Sequence, residues 1–463
     1  MGEKFDAIII GTGQAGPSVA QRMTREGMNV AIIERKSFGG TCVNVGCIPT
    51  KALVASARAA HMARRGGDFG VTIKGKIDVN MIQVKARKDA IVKQSNDGVT
   101  NWLETMENLT VFKGHGRLES ANSVSVNGDL LEADKIVLNV GGRAIVPDMP
   151  GINDVKYLTN STIMDVDFLP EHLVIIGGSY IGLEFAQMYR RFGSDVTVVE
   201  MGPKLIARED EEVSDAVKVI LENEGIKVQL NADCIGLSQR GDQVAVTANC
   251  APEKKEIIGS HVLLAVGRKP NTDDLGLEKA GVETDARGYI TVDDELRTSV
   301  PGIWAIGDAN GRGAFTHTSY NDYEILSANM FDNDPRRISD RITAYGLFID
   351  PPLGRVGMTE AQVWATGRKA LVGKMMMARV GRARERSETQ GFMKILIDAE
   401  NEKILGAAIL GIGGDEIVHS ILDVMYADAP YTVIQRAMHI HPTVTELIPT
   451  MLGDLQLLDE ADL

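Results

Sequence analysis

Cysteine is scarce in this chain: four residues among 463, at positions 42, 47, 234 and 250. That is too few for the disulfide framework of a small secreted fold. Positive charge is also in deficit, with 49 basic against 63 acidic residues and a net charge of −14. Such a balance favours solubility and disfavours nucleic acid or an anionic membrane as a partner, and neither is expected. No apolar run reaches the ~20 residues needed to span a bilayer. The opening MGEKFDAIIIGTG runs directly into an apolar strand pattern, without the layout of a secretory signal. The expected location is cytoplasmic, where thiols stay reduced.

What remains is an ordinary globular composition, 44% hydrophobic and 24% charged with 48 glycines, long enough for about three domains of ~150 residues. A pattern repeats within it. In DAIIIGTGQAGPSVAQRMTREGMNVAIIERK, a short apolar run meets Gly11, Gly13 and Gly16, a helical pattern follows, and a second apolar run ends at Glu34. Glycines at this spacing permit a tight turn and close approach to a pyrophosphate at the positive end of the helix. The acid accepts hydrogen bonds from a ribose.

The second unit, HLVIIGGSYIGLEFAQMYRRFGSDVTVVEMG, repeats the layout with Gly177, Gly178 and Gly182 and ends at Glu200. Ser179 takes the middle glycine position. Glu200 suits a free 2′-hydroxyl and opposes a 2′-phosphate, and Met201 follows where an arginine would pair with that phosphate. NAD(H) is therefore preferred, while Lys204 and Arg208 keep NADP(H) open. Further apolar runs end in glycine at KIVLNVGGRAIVP (Gly141), HVLLAVGRKPN (Gly267) and GIWAIGDAN (Gly307, followed by Asp308). Two dinucleotide sites in one chain suggest electron traffic between two carriers such as a flavin and a nicotinamide.

Cys42 and Cys47 sit together in GGTCVNVGCIPTK. A metal site needs about four ligands, and the nearest histidine in sequence is His61, so no metal is expected. Cys234 and Cys250 read as buried or incidental. Pro49 suits the first turn of a helix, which sets both sulfurs near a helix N-terminus, with Lys51 as a nearby cation. That setting favours thiolate and thiol–disulfide exchange. In MHIHPTVTELIP, Pro442 disfavours helix at His441. His441 is read as standing just before a helix that begins at Pro442, with Glu446 able to turn back and fix its tautomer. His439 is a weaker competitor.

Taken in order, GGTCVNVGCIPTK, the two glycine units, GIWAIGDAN and HPTVTE resemble class I pyridine nucleotide-disulfide oxidoreductases, a family that includes dihydrolipoamide dehydrogenase, glutathione reductase and mercuric reductase. The resemblance covers essentially the whole chain. It implies an α/β fold of two Rossmann-like dinucleotide-binding domains and a C-terminal α+β dimerisation domain. FAD would occupy 1–152 and 272–341, NAD(P) 153–271, and 342–463 would form the homodimer interface. Cys47 would be the thiolate against the flavin and Cys42 the thiol that attacks substrate. His441, held by Glu446, would act as acid and base at the other subunit's site. Lys51 would pair with Glu184 beside the flavin, and Asp308 would bind the ribityl chain. Thr41, Gly116 and Gly141 join the expected FAD contacts, Gly178 and Gly267 those for NAD.

This chain departs from the family in places. Asn139 and Val140 stand where Ala and Thr are frequent. The end, LGDLQLLDEADL, lacks the cysteine pair of mercuric reductases, and the arginines and NADPH preference of glutathione reductases are missing. The expected substrate is a small or protein-bound disulfide or dithiol, as for dihydrolipoamide. FTHTSYNDYEIL and IDPPLGRVGMTE look closer to the mercuric-reductase-like branch, which makes metal ions or oxidants the alternative, alongside a low-turnover redox sensor. Residues 80–107 read as a solvent-facing helix, and KMMMARVGRARER as a strand edge with solvated arginines and packed methionines.

Overall fold

The apolar runs Ala7–Ile10 and Val30–Glu34 are buried up to the terminal glutamate, as strands covered on both faces must be. In the computed structural model, which describes residues 2–248 and 256–458, they belong to a five-stranded parallel sheet. Its spatial order is Leu109–Lys113, Val30–Glu34, Ala7–Ile10, Lys135–Leu138, Ile303–Ala305. The direction of winding reverses between Ala7–Ile10 and Lys135–Leu138. A crevice opens beyond the carboxyl ends of the strands at such a reversal. Gly11 and Asn139 are the first residues past those two strand ends.

A second parallel sheet repeats the plan with four strands, ordered Lys227–Gln229, Asp195–Val199, His172–Ile176, His261–Leu264. The short antiparallel pairing of Gly142–Ala144 with Arg268–Pro270 ties the two units together. The C-terminal part is different: a six-stranded antiparallel sheet from Ala344–Leu347 to Gln456–Leu457, backed by the helix Gly414–Tyr426. Its central strands Phe392–Asp398 and Ile404–Leu410 are buried throughout. The architecture is α/β, two Rossmann-like units followed by an α+β part.

Two local expectations need correction. The long helix runs Met81–Glu104, N-capped by the Asn80 side chain, which accepts from the Gln83 N–H at 3.1 Å. It is not wholly solvent-facing, because Lys88 is buried and its Nζ donates to the Met164 carbonyl at 2.8 Å. The arginine-rich segment is not a strand edge. The strand Ala370–Met376 ends before its arginines and lies inside the sheet. The arginines fall on a 3-10 turn, Met377–Arg379, and a short helix, Gly381–Glu385. Met375 and Met377 are core residues, as their sequence suggests, whereas Met376 is exposed.

Candidate functional site

Both glycine loops are shaped by the same close approaches. Gly11 has φ +108° and Gly177 +115°, values that favour glycine. A Cβ on Gly16 would come within 2.2 Å of the Gly11 carbonyl oxygen, and one on Gly182 within 2.1 Å of that of Gly177. Helix Gly16–Arg25 and helix Tyr180–Phe192 start from these loops. Each loop is braced by its acid. The Glu34 carboxylate accepts from the Thr12 N–H at 3.1 Å and the Thr12 hydroxyl at 2.7 Å. Glu200 accepts from the Gly178 N–H at 2.6 Å and the Gly202 N–H at 2.8 Å. These cradles fit two dinucleotides: each offers a loop whose first and last glycines admit no Cβ, a helix N-terminus for the pyrophosphate and a carboxylate at the ribose end. Lys204 turns its Nζ to the Glu209 carbonyl at 2.8 Å rather than to Glu200.

Around the first loop, Asp308 lies 3.3 Å from Arg268 Nη2. Gly141 and Gly267 adopt φ +63° and +121° at the two segment ends. Gly116 lies against Ile10 and Ile33, which a Cβ there would meet at 3.3 and 3.1 Å. Thr41 lies in the short helix Gly40–Asn44.

That short helix also carries Cys42, whereas Cys47 is the first residue of the next helix, Cys47–Arg64, with Gly46 at its N-cap. Only Cys47 therefore heads the long helix, and Pro49 lies two residues into it. Both sulfurs are free thiols. The proton they share is unequally held. Cys47 is solvent-exposed, and a hydrogen bond from Cys42, another from Thr316 and the Lys51 charge pull it down to about 6, against partial desolvation by its neighbours and the Glu184 carboxylate. The same bond, with burial, pushes Cys42 well above the ordinary thiol range. The surroundings thus favour charge on Cys47 and the proton on Cys42. The Thr316 hydroxyl, 3.1 Å from Cys47 Sγ, comes from the first turn of helix Thr316–Ser327; the sequence reading missed it.

Lys51 Nζ is 2.7 Å from Glu184 Oε2 and 4.2 Å from the centre of the Phe348 ring. Glu184 is buried, and its other oxygen accepts the Phe348 N–H at 3.1 Å. Phe348, also missed, thus holds both members of the pair in place. Among the described residues no group of three or more His, Cys, Asp or Glu side chains converges on a metal position.

His441 Nδ1 contacts both Glu446 oxygens, at 3.0 and 2.9 Å. No helix begins at Pro442. Thr443 and Glu446 bond to each other in a turn, and the helix starts at Leu447. The histidine side chain is 81% exposed and its hydrogen bonds run to Glu446, not to either cysteine. Met438 and Ile440 beside it are 99% and 80% exposed, an apolar surface of the kind that a partner covers. Cys234 is exposed rather than buried, and Cys250 lies outside the described residues. No helix among the described residues is long and apolar enough to cross a membrane.

Comparison with known proteins agrees with this geometry. Residues 5–322 match the family described as pyridine nucleotide-disulphide oxidoreductase, and 343–452 match its dimerisation domain. The chain is 35% identical over 451 residues to the probable pyridine nucleotide-disulfide oxidoreductase RclA of Escherichia coli, covering 96% of this chain and 97% of that one. It is 31% identical over 445 residues to dihydrolipoyl dehydrogenase of Thermus scotoductus, covering 96% and 95%. The solved structure titled Cu(II) complex of HOCl-induced flavoprotein disulfide reductase RclA from Escherichia coli matches with a TM-score of 0.89 at 32% identity, over 97% of this chain and 99% of that one. This chain belongs to the class I pyridine nucleotide-disulfide oxidoreductases: it is a homodimeric, FAD-dependent NAD(P)H:disulfide oxidoreductase.

Proposed function

We propose that Cys42 and Cys47 are the redox-active pair of a dihydrolipoamide-dehydrogenase-like enzyme that prefers NAD(H) and works in the cytoplasm. Gly11, Gly13, Gly16, Glu34, Thr41, Gly116, Gly141 and Asp308 would hold FAD, which when bound would supply two-electron chemistry between the nicotinamide and the cysteines. NAD(H) is held by Gly177, Gly178, Gly182, Glu200 and Gly267. We assign the FAD domain to 1–152 and 272–341, the NAD domain to 153–271 and the interface domain to 342–463.

In the reducing direction, His441 of the partner subunit takes the Cys42 proton. The Cys42 thiolate attacks one sulfur of the substrate disulfide, forming a mixed disulfide and expelling a thiolate, which His441 protonates. The Cys47 thiolate then attacks Cys42, the mixed disulfide breaks, and the second substrate sulfur leaves as a thiolate that takes a proton from water as the Cys42–Cys47 disulfide forms. Oxidation of a dithiol is the same sequence reversed. Glu446 fixes the imidazole tautomer, while Lys51 and Glu184 set the charge beside Cys47.

The observation that carries this reading is the setting of Cys47, with the Thr316 hydroxyl 3.1 Å from its sulfur at the head of helix Cys47–Arg64, which favours thiolate there and leaves Cys42 as the nucleophile to be deprotonated for each attack. Anaerobic addition of NADH to FAD-replete protein tests it. Long-wavelength thiolate-to-flavin absorbance should appear, and its absence in folded protein would sink the mechanism.

A second reading, reduction of metal ions or oxidants, is favoured by the likeness to an HOCl-induced flavoprotein disulfide reductase solved as a Cu(II) complex. NADH-coupled rates with lipoamide, glutathione disulfide, Cu(II) and Hg(II) separate the two. Lipoamide turnover well above the others supports the first, and Cu(II) or Hg(II) turnover the second.

A further inference from the structure

We propose that Asn139 is a positioning residue for FAD: its side-chain amide draws two carbonyls of the first glycine loop away from the cofactor and so presets that loop for retention, a clamp that the second loop lacks. The inference rests on the assignment of FAD to the Gly11–Gly16 loop.

Asn139 is buried at the switch point between the two central strands. Its Nδ2 donates to the carbonyls of Gly11 and Gly13, each at 3.3 Å. An amide has two N–H groups, so both bonds form at once. In a trans peptide the carbonyl and the following N–H point to opposite sides. Drawing Gly11 C=O toward Asn139 turns the Thr12 N–H outward, where it meets Glu34 at 3.1 Å. Drawing Gly13 C=O inward turns the Gln14 N–H outward, and that group takes no part in the loop's own hydrogen bonds. Just before helix Gly16–Arg25, such a free N–H is available to an anion. Two carbonyl dipoles are thereby withdrawn from a doubly charged pyrophosphate before it arrives, which lowers the reorganisation that binding requires.

The second unit is an internal control. The N–H of Gly11 donates to Ile33 at 2.8 Å and that of Gly177 to Val199 at 2.8 Å. The N–H of Asn139 donates to Ile10 at 2.8 Å and that of Ala265 to Ile176 at 2.8 Å. A Cβ on Gly11 would come within 2.2 Å of the Asn139 carbonyl oxygen, and one on Gly177 within 2.4 Å of that of Ala265. These backbone contacts correspond, and Ala265 stands where Asn139 does; further along the loops differ, because the Gly13 carbonyl also accepts the Gly16 N–H at 3.0 Å, whereas the Ser179 carbonyl accepts the Leu183 N–H at 3.0 Å. The alanine has no amide to give. The difference matches the cofactors' fates: FAD must stay through every turnover, whereas the nicotinamide dinucleotide must leave.

Holoenzyme carrying Asn139→Ala, Asn139→Asp or, as a loop control, Gly13→Val tests the clamp. FAD release is followed by flavin fluorescence after dilution, and thermal melting is recorded at saturating FAD. Asn139→Ala should release FAD about tenfold faster. Asn139→Asp should release it faster still, because a carboxylate would face two carbonyl oxygens. KM for NADH should hold in both. Ala265 shows that the same backbone accommodates alanine. Native release rates in both Asn139 variants, with faster release from Gly13→Val, would overturn the clamp alone. Unchanged release in all three would overturn the loop assignment and the clamp with it. A lower melting temperature with native release would mark Asn139 as merely structural and overturn the proposal too.

Discussion

The hydroxyl of Thr316 lies 3.1 Å from the sulfur of Cys47, across 269 positions of sequence. It favours the thiolate, so its removal must raise the Cys47 pKa. A hydrogen bond to a charged group is worth about 1.5–3 kcal/mol, and one pKa unit about 1.4 kcal/mol. Thr316→Val should therefore lift the titration of the dithiol form by about one to two units. In the native enzyme the thiolate band should fade as pH drops through about 6, and in the variant it should already be fading near neutrality. A pH titration of the absorbance, under argon, reads both midpoints.

The two sulfurs should respond differently to substitution. Cys42→Ser leaves Cys47 in place, so the long-wavelength band should survive while disulfide turnover is lost. Cys47→Ser should abolish the band. Retained turnover in Cys42→Ser would reverse the assignment of roles.

His441 contacts Glu446 and lies on an exposed loop beside Met438, so each site should need both chains. His441→Gln should lower turnover about 10²–10⁴-fold. Refolded mixtures of Cys42→Ser and His441→Gln protomers should recover activity that neither homodimer has. Half the dimers are mixed and each holds one intact site, so recovery should reach about a quarter of native. No recovery would mean that the histidine serves its own chain.

The Glu200 carboxylate is held by the N–H groups of Gly178 and Gly202, rigid and close to where a 2′-phosphate would sit. NADH should exceed NADPH in kcat/KM by at least about tenfold. Glu200→Ala should shrink that ratio mainly by weakening NADH. Equal use of both cofactors by the native enzyme would refute the preference.

Arg355 is buried between Glu209 and Asp210, 2.8 Å from the latter, and Lys394 lies 2.9 Å from Asp210, 2.8 Å from Glu212 and 2.9 Å from Glu360. Arg355→Met would leave Glu209 buried without its counter-charge, at a cost of about 3–5 kcal/mol. Denaturant unfolding at saturating FAD should show it. A native midpoint would mean that Tyr345, which donates to Glu209, suffices.

Sequence carried the glycine loops and the cysteine motif well, because each is local. Gly16 must lack a side chain to pass the Gly11 carbonyl, five residues away, and such constraints appear as fixed spacings. Thr316, Phe348 and the Asn139 amide were illegible for the opposite reason. Each acts on a residue more than 100 positions away, and nothing in its own neighbourhood announces it. The misplaced helix start at Pro442 has a local cause. Thr443 and Glu446 offered their side chains to each other's backbone N–H, and that competing turn displaced the helix to Leu447.

Arg58 and Arg191 meet at Asp350, and they also bind Glu388 and Glu224 respectively. These five charges come from helix Cys47–Arg64, the second dinucleotide unit and the C-terminal part. Recombination between relatives is constrained by that sharing. A crossover that exchanged everything after Arg341 would deliver a foreign residue opposite one half-buried and one buried guanidinium. Hybrid genes in this lineage should survive only where the new C-terminal part brings acids for both.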